Sequence, residues 1–442
     1  MLDIKLFFKE NLQFLLLIVG WILLGRIAAP LGIVAVLGSI ILLKRQGLEL
    51  EIFLGFLLIL ILSDSRSYLL DFAKTVKNFY IVILAGWLFF DSKQFKPYSK
   101  LHIPFIPFFI LATILLIRSE TVFTSFQKTL SYFLLLLVVP NYILTLVKKS
   151  GIEVYKKIVF FLSLLLFVGL ILRFVNPWFV MLEGRYTGIF GNPNGLGIFC
   201  VLFFFLFSVI RNLYDELFTK QENIIIYGLV GISVILCGSR TAVIAIAIFL
   251  VSSYLYKKSP ILVIMFALFI TLISEFITQN IVQIIIILGL EEFFRIETLE
   301  DGSGRTIAWD FAWKHINKNF YFGKGFSHTE YLYKINYTYL SRLGHQGNAH
   351  NSYLTFWLDN GLIGLGLYFI GVIRVILESI KNSKLALPVL AAVLFAINFE
   401  SWLTASLNPF TIIFWMIVSV MYFYRDINDH LTLSDTNTKL EN

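Results

Sequence analysis

Apolar residues come in long runs along this 442-residue chain, and short polar breaks separate them. The runs fall at 11–25, 27–43, 51–63, 72–90, 103–117, 129–147, 158–175, 193–210, 224–238, 241–256, 261–277, 356–376, 385–400 and 409–424. A helix needs roughly 20 apolar residues to cross a bilayer. Most runs approach that length, and 11–25 and 51–63 fall short of it. Strands are excluded, because unpaired backbone amides are too costly in lipid and the runs lack the period-two alternation of a barrel. The pattern predicts an all-α, polytopic integral membrane protein with about 12–14 transmembrane helices.

One long polar segment interrupts the series. It divides the chain into N-terminal transmembrane helices (1–277), a large extracytoplasmic loop containing short helices (278–350), C-terminal transmembrane helices (351–426) and a polar cytoplasmic tail (427–442). Within the loop, Ile281 to Phe294 is apolar enough to lie flat at the bilayer surface. Gly304 to Asn317 predicts a helix, with Ser303 as N-cap and Ile307, Phe311 and Trp313 at helical spacing. The run Tyr321-Phe-Gly-Lys-Gly-Phe326 reads as a turn, and no repeat recurs at a fixed period. The first apolar run carries Asp3 and Glu10 ahead of it and no small-residue cleavage site after it. It reads as an uncleaved span rather than a signal peptide.

Composition sharpens the class. Apolar residues make up 58% and charged residues 14%, with a mean hydropathy of +0.81. Soluble domains average about 45–50% and about 25%, so a soluble enzyme, a disordered chain and a coiled coil are excluded. The net charge of +8 points to asymmetric loops rather than to nucleic acid. With the N-terminus inside, the inner segments hold twenty Lys and Arg and the short outer loops six. That bias is the positive-inside pattern, and it places 278–350 outside. Cys200 and Cys237, both within apolar runs, argue against a disulfide framework or a cysteine zinc site.

The outer arginines are the candidate chemistry. Arg66, Arg118, Arg185, Arg240, Arg305 and Arg342 stand as isolated cations on the side where positive charge is scarce. Each either snorkels to the interface or meets an anion. Arg240 lies in Cys237-Gly-Ser-Arg-Thr241, a break of a few residues between two apolar helices, where a guanidinium needs a carboxylate, an anion or water. Arg305 opens the predicted loop helix, with Trp309 and Trp313 one and two turns on. A cation there opposes the helix dipole unless an anion is near. The turn Gly184-Arg-Tyr-Thr-Gly-Ile-Phe-Gly-Asn-Pro-Asn-Gly-Leu-Gly197 opens an apolar helix, and it reads either as a cap or as an anion cradle. His350, in Gly347-Asn-Ala-His-Asn-Ser-Tyr-Leu354, stands where the loop re-enters the membrane. It is either a structural histidine or a proton-transfer group. Glu400, in Asn398-Phe-Glu-Ser-Trp402, is the default ion-pair partner for an arginine. His315, His328, His345 and His350 lie at no recognised zinc spacing, and no P-loop or serine-hydrolase signature is present.

Taken in order, these segments resemble the O-antigen ligase and O-antigen polymerase superfamily of bacterial membrane glycosyltransferases. The resemblance rests on Gly188-Ile-Phe-Gly-Asn-Pro-Asn-Gly195, Gly238-Ser-Arg-Thr241, Ser303-Gly-Arg305 with Trp309, Phe322-Gly-Lys-Gly325, His350-Asn-Ser-Tyr-Leu354 and Asn360-Gly-Leu-Ile-Gly364. It spans about residues 185–365. It implies a multi-pass enzyme of the bacterial cytoplasmic membrane with its active site facing the periplasm or cell exterior. The donor would be an undecaprenyl-diphosphate-linked oligosaccharide and the acceptor a glycan or lipid A–core, with no cofactor and no metal.

The resemblance assigns catalysis to Arg240, Arg305 and His350. The residues expected to bind substrate, from the resemblance and from the residues themselves, are Arg185, Asn192, Asn194, Trp309, Asn351, Tyr353 and Glu400. Membrane lipids, a chain-length regulator and a flippase are the partners it suggests, and nucleic acid is not among them. The leading expectation is an inverting polysaccharide polymerase. A ligase acting on lipid A–core uses the same donor, and a transporter of the lipid-linked sugar is the reading from another class.

Overall fold

The computed structural model describes residues 2–91, 99–287, 305–345 and 347–440. Its elements in chain order are α1 (Leu2–Ile27), α2 (Ala29–Arg45), α3 (Glu49–Asp64), α4 (Asp71–Phe90), α5 (Ile106–Ile114), α6 (Val122–Ser150), α7 (Glu153–Val175) and α8 (Pro177–Val180). A two-residue antiparallel ribbon follows, β1 (Met181–Leu182) and β2 (Arg185–Tyr186). Then come α9 (Pro193–Leu213), α10 (Lys220–Cys237), α11 (Arg240–Tyr256) and α12 (Pro260–Ile287). The polar segment contributes α13 (Arg305–Ile316), α14 (His328–Ile335) and α15 (Tyr337–Arg342). The chain closes with α16 (Ser352–Ile380), α17 (Ala386–Ala396), α18 (Pro409–Tyr422) and α19 (Tyr424–Leu440).

Each predicted apolar run lies on a helix, so the fold is all-α and polytopic as the pattern requires. By length and composition, seven of the described helices can cross a membrane, or eight if α18 and α19, bent by 52°, form one span. The other apolar runs form shorter helices such as α11 and α17. The 3.6-residue period explains the layering. Helix α3 is apolar all round and buried from Ile52 to Leu62, and α18 is buried from Pro409 to Met421. Helices of this kind belong in the middle of a bundle. Accordingly α18 packs on α3, α6, α9 and α16. Helix α1 instead exposes Leu12, Leu16 and Leu23.

Polar contacts sort the helix ends into two groups. At one end Lys44 pairs with Asp91 at 2.9 Å, Lys149 with Glu49 at 2.8 Å, Lys157 with Glu10 at 2.9 Å and Lys156 with Glu222 at 3.4 Å. At the other end Arg66 donates to the Trp178 carbonyl at 2.8 Å and to that of Met181, Arg118 donates to Asn319 at 3.2 Å, and Lys128 meets Glu330 at 2.8 Å. This second end carries α13, α14, α15 and the candidate site.

The polar segment is anchored to the bundle at a break in α16. Gly361 has φ 72° and ψ 177°, a conformation open in practice only to glycine. The break frees backbone groups, and the stretch 320–325 docks into it. The Leu362 amide donates to the Phe320 carbonyl at 2.9 Å, the Gly325 amide to the Asp359 carbonyl at 2.8 Å and the Trp357 indole to the Phe320 carbonyl at 2.9 Å. A Cβ on Gly323 would stand 2.2 Å from the Asp359 oxygen, and one on Gly361 2.2 Å from the Tyr321 oxygen. The motifs Phe322-Gly-Lys-Gly325 and Asn360-Gly-Leu-Ile-Gly364 are therefore two halves of one joint.

Helix α12 continues to Ile287, so the beginning of the stretch expected to lie on the bilayer surface is the end of a long helix. The rest of that stretch and the Ser303 cap lie outside the described residues. Arg305 begins α13 as expected. The tail is helical through Leu440.

Candidate functional site

The site forms where α9, α11, α13 and α16 begin and the chain leaves α17. Local sequence sets each start. Asn192 accepts from the Gly195 amide at 2.7 Å and caps α9, with Pro193 in the first turn, where a missing N–H costs nothing. Asn351 caps α16 in the same way, accepting from the Leu354 amide at 3.0 Å. Helix α10 stops at Gly238, whose φ of 58° and ψ of 32° make a left-handed cap, and α11 restarts at Arg240. These starts turn free amides, and a partial positive charge, toward one region.

Glu400 is the hub. Its Oε1 accepts from Asn194 Nδ2 at 3.0 Å and from Arg305 Nη2 at 3.2 Å, and its Oε2 lies 3.3 Å from His350 Nδ1. The backbone holds the carboxylate there. Ser352 Oγ donates to the Glu400 carbonyl at 2.8 Å, and the Ser352 amide donates to the Ile397 carbonyl at 2.8 Å. The loop after α17 is thus laced to the start of α16. An ionised carboxylate only accepts, so Nδ1 of His350 carries the proton and Nε2 presents its lone pair. A Cβ on Gly347 would stand 3.0 Å from that Nε2, so glycine keeps the nitrogen open. His350 itself has φ 44°, a left-handed backbone that only surrounding contacts sustain. Asn348 Oδ1 supplies one by accepting from the His350 amide at 2.9 Å.

Three guanidiniums lie together at this site, and Arg305 is the one in contact with the carboxylate. Arg185 is the committed one. It donates to the Cys237 carbonyl through Nε at 3.0 Å and Nη2 at 2.8 Å, and reaches Asn194 Oδ1 at 3.3 Å. It therefore closes the C-terminus of α10, where orphan carbonyls and the helix dipole favour a cation. Among the described residues Arg305 has a single hydrogen bond, to Glu400, and rests over the Phe399 ring, 5.7 Å from its centre. Arg240 stands in the field of both Arg305 and Arg185, and its buried Nη1 has no hydrogen-bond partner among the described residues.

Residues 225–369 match the family described as O-antigen ligase. The match covers about a third of the chain. It includes Arg240, Arg305 and His350, while Arg185, Asn194 and Glu400 lie outside it. No curated protein matches the chain. The O-antigen ligase match supports the O-antigen ligase and polymerase superfamily, and with it a membrane enzyme of glycosyltransferase type.

The remaining expected site residues are placed as follows. Trp309 donates its indole N–H to the Ala349 carbonyl at 2.9 Å, tying α13 to the residue before His350. Tyr353 turns into the bundle, its hydroxyl 3.0 Å from the Leu394 carbonyl and its ring stacked on Phe369. Asn192 and Asn351 use their side-chain oxygens as caps, so of the two asparagines in the turn only Asn194 reaches Glu400 and Arg185. Among the described residues no three His, Cys, Asp or Glu side chains gather as a metal site. A pair of groups that sequence reasoning passed over lies nearby. Lys128 is buried 3.6 Å from the fully buried Asp359. An acidic residue inside the apolar run 356–376 and a lysine at the edge of the run 129–147 are the signal that marks such a pair.

Proposed function

We propose that the chain is a polysaccharide polymerase of O-antigen or capsule type. It transfers an undecaprenyl-diphosphate-linked glycan to an acceptor sugar at the outer face of the cytoplasmic membrane. The observation that carries this reading is the buried Nη1 of Arg240, which has no hydrogen-bond partner among the described residues, beside Arg305 and Arg185, with Glu400 paired to Arg305. Among the described residues such a set is short of negative charge. A diphosphate diester, anionic and rich in acceptor oxygens, matches it through the planar donor forks of arginine.

The chemistry is a single displacement. The acceptor hydroxyl oxygen forms its bond to the anomeric carbon while the bond from that carbon to the phosphate oxygen breaks. The diphosphate leaves with the electron pair, and Arg240 and Arg305 neutralise the charge it gathers. The hydroxyl proton passes to His350 Nε2, the nitrogen that Glu400 leaves free. One displacement inverts the anomeric carbon.

The test is the purified full chain, a lipid-diphosphate-linked repeat and a gel. Growth of longer chains without lipid A–core supports the polymerase. Transfer that requires lipid A–core makes it a ligase instead. Arg240→Ala, Arg305→Ala and His350→Ala each abolish the ladder, and normal ladders from all three variants refute the site.

A further inference from the structure

Glu400 pairs with Arg305 at the centre of the site. Its Oε1 occupies Arg305, the same guanidinium that the proposed reaction gives to the leaving diphosphate. The contact is loose, one nitrogen to one oxygen at 3.2 Å, with no second fork. The Arg305 and Glu400 side chains keep 21% and 13% of their exposure, so a ligand entering from the aqueous end can reach both. The other oxygen, Oε2, belongs to His350 alone among the described residues. One carboxylate thus has one arm on the anion-binding group and the other on the proton acceptor.

Resting on the reading above, we propose that Glu400 is a positioning residue that holds the donor's place at Arg305 and fixes the tautomer of His350. Donor binding exchanges one for the other. The diphosphate takes Arg305, and Glu400 loses its cationic partner. Its undivided negative charge then falls on the imidazole through Oε2. An imidazole facing a fuller carboxylate charge is a better proton acceptor. His350 becomes a competent base only when the leaving group is already in place, which guards the donor against attack in its absence. Asn194, bonded to Glu400 Oε1 at 3.0 Å and to Arg185 through its carbonyl oxygen, keeps the carboxylate from following Arg305.

The geometry separates this role from that of a donor-binding residue or a structural clamp. A competitor at Arg305 weakens donor binding, so its removal tightens it. Glu400→Gln keeps the shape and its Oε1 acceptor but removes the charge. Equilibrium binding of inorganic pyrophosphate to the purified full chain is expected to be about fivefold tighter in Glu400→Gln, the worth of a partly exposed ion pair. No such gain is expected when Glu400→Gln is combined with Arg305→Ala. In the transfer assay kcat is expected to fall about a hundredfold with no rise in KM for the lipid donor. Weaker or unchanged pyrophosphate binding, or a raised KM at unchanged kcat, overturns the inference. Should the wild type transfer no sugar, the polymerase reading fails alone, because the pyrophosphate comparison still decides whether Glu400 holds an anion's place.

Discussion

Lys128 stands 2.8 Å from the Glu330 carboxylate and 3.6 Å from that of Asp359, which is wholly buried. The lysine belongs to α6, the glutamate to α14 and the aspartate to α16, so one ammonium ties the polar segment to two helices of the bundle. Asp359 Oδ1 also accepts from both the amide and the hydroxyl of Thr329, each at 2.7 Å. Breaking a buried pair from one side leaves an uncompensated charge, typically at a cost of about 3–5 kcal/mol. Lys128→Met is therefore expected to lower thermal stability in detergent markedly. Adding Asp359→Asn should recover part of the loss. Equal loss in the single and double variants argues against the pair.

The joint at the α16 break predicts a second result. Alanine at Gly361 must adopt a backbone conformation reserved for glycine and place its Cβ 2.2 Å from the Tyr321 oxygen. Strain and clash together are worth about 3 kcal/mol or more. Gly323→Ala meets the Asp359 oxygen at 2.2 Å and should behave alike, whereas Gly366 has no atom within 4 Å of its Cβ position and tolerates alanine. Limited proteolysis across 305–345 reads the difference. The two joint variants should be cut readily and Gly366→Ala should resist as wild type does.

These two features also mark the limit of what the sequence alone conveys. Apolar length is a local property, and each apolar run was legible because burying such a run in lipid needs no partner. Arg240, Arg305, His350 and Glu400 stood out because charge at a membrane boundary is costly, and the structure brings all four to one region. The joint between 320–325 and Gly361 was not legible as a joint. Its two halves are glycine motifs 38 residues apart from Gly323 to Gly361, and each reads alone as a turn or a flexible helix. Lys128 and Asp359 are separated by about half of the chain, so their pairing exists only in the packed bundle. Arg185 was legible as a cation, but its attachment to the last carbonyls of α10 depends on where the ribbon places it.

Arg240 and Arg185 should part company when replaced. Arg185 holds the end of α10 through the Cys237 and Gly238 carbonyls. Arg185→Ala is expected to lower both thermal stability and activity, since the orphan carbonyls lose their donors. Arg240 contributes a half-buried charge whose Nη1 has no partner among the described residues, repelled by two neighbours of the same sign. Arg240→Met is expected to keep or raise the melting temperature while transfer is lost. That is the signature of a group held in an unfavourable state for its function. A melting temperature that falls as far in Arg240→Met as in Arg185→Ala contradicts the assignment.

Acidification should loosen the polar segment, and two groups fix the direction. His328 donates from Nδ1 to Glu120 Oε2 at 3.1 Å and is mostly buried. Burial, aided by Lys324 nearby, holds its pKa below the usual histidine value despite the pull of Asp359 and Glu120. The folded state therefore disfavours the imidazolium. The stability this contributes is complete above about pH 6.5, the ordinary histidine value, and is lost as pH falls through the lowered folded value. Glu330 is held below the usual carboxylate range, first by the charge of Lys128. Its contribution is present above about pH 4.3 and disappears as pH falls further. Both act in one sense but in separate windows. Hydrogen-exchange protection across 324–335, corrected for the intrinsic pH dependence of amide exchange, should fall as pH drops below about 6.5 and fall again below about 4.3. His328→Gln should erase the first step and leave the second. A variant that keeps both steps assigns the upper one to another group.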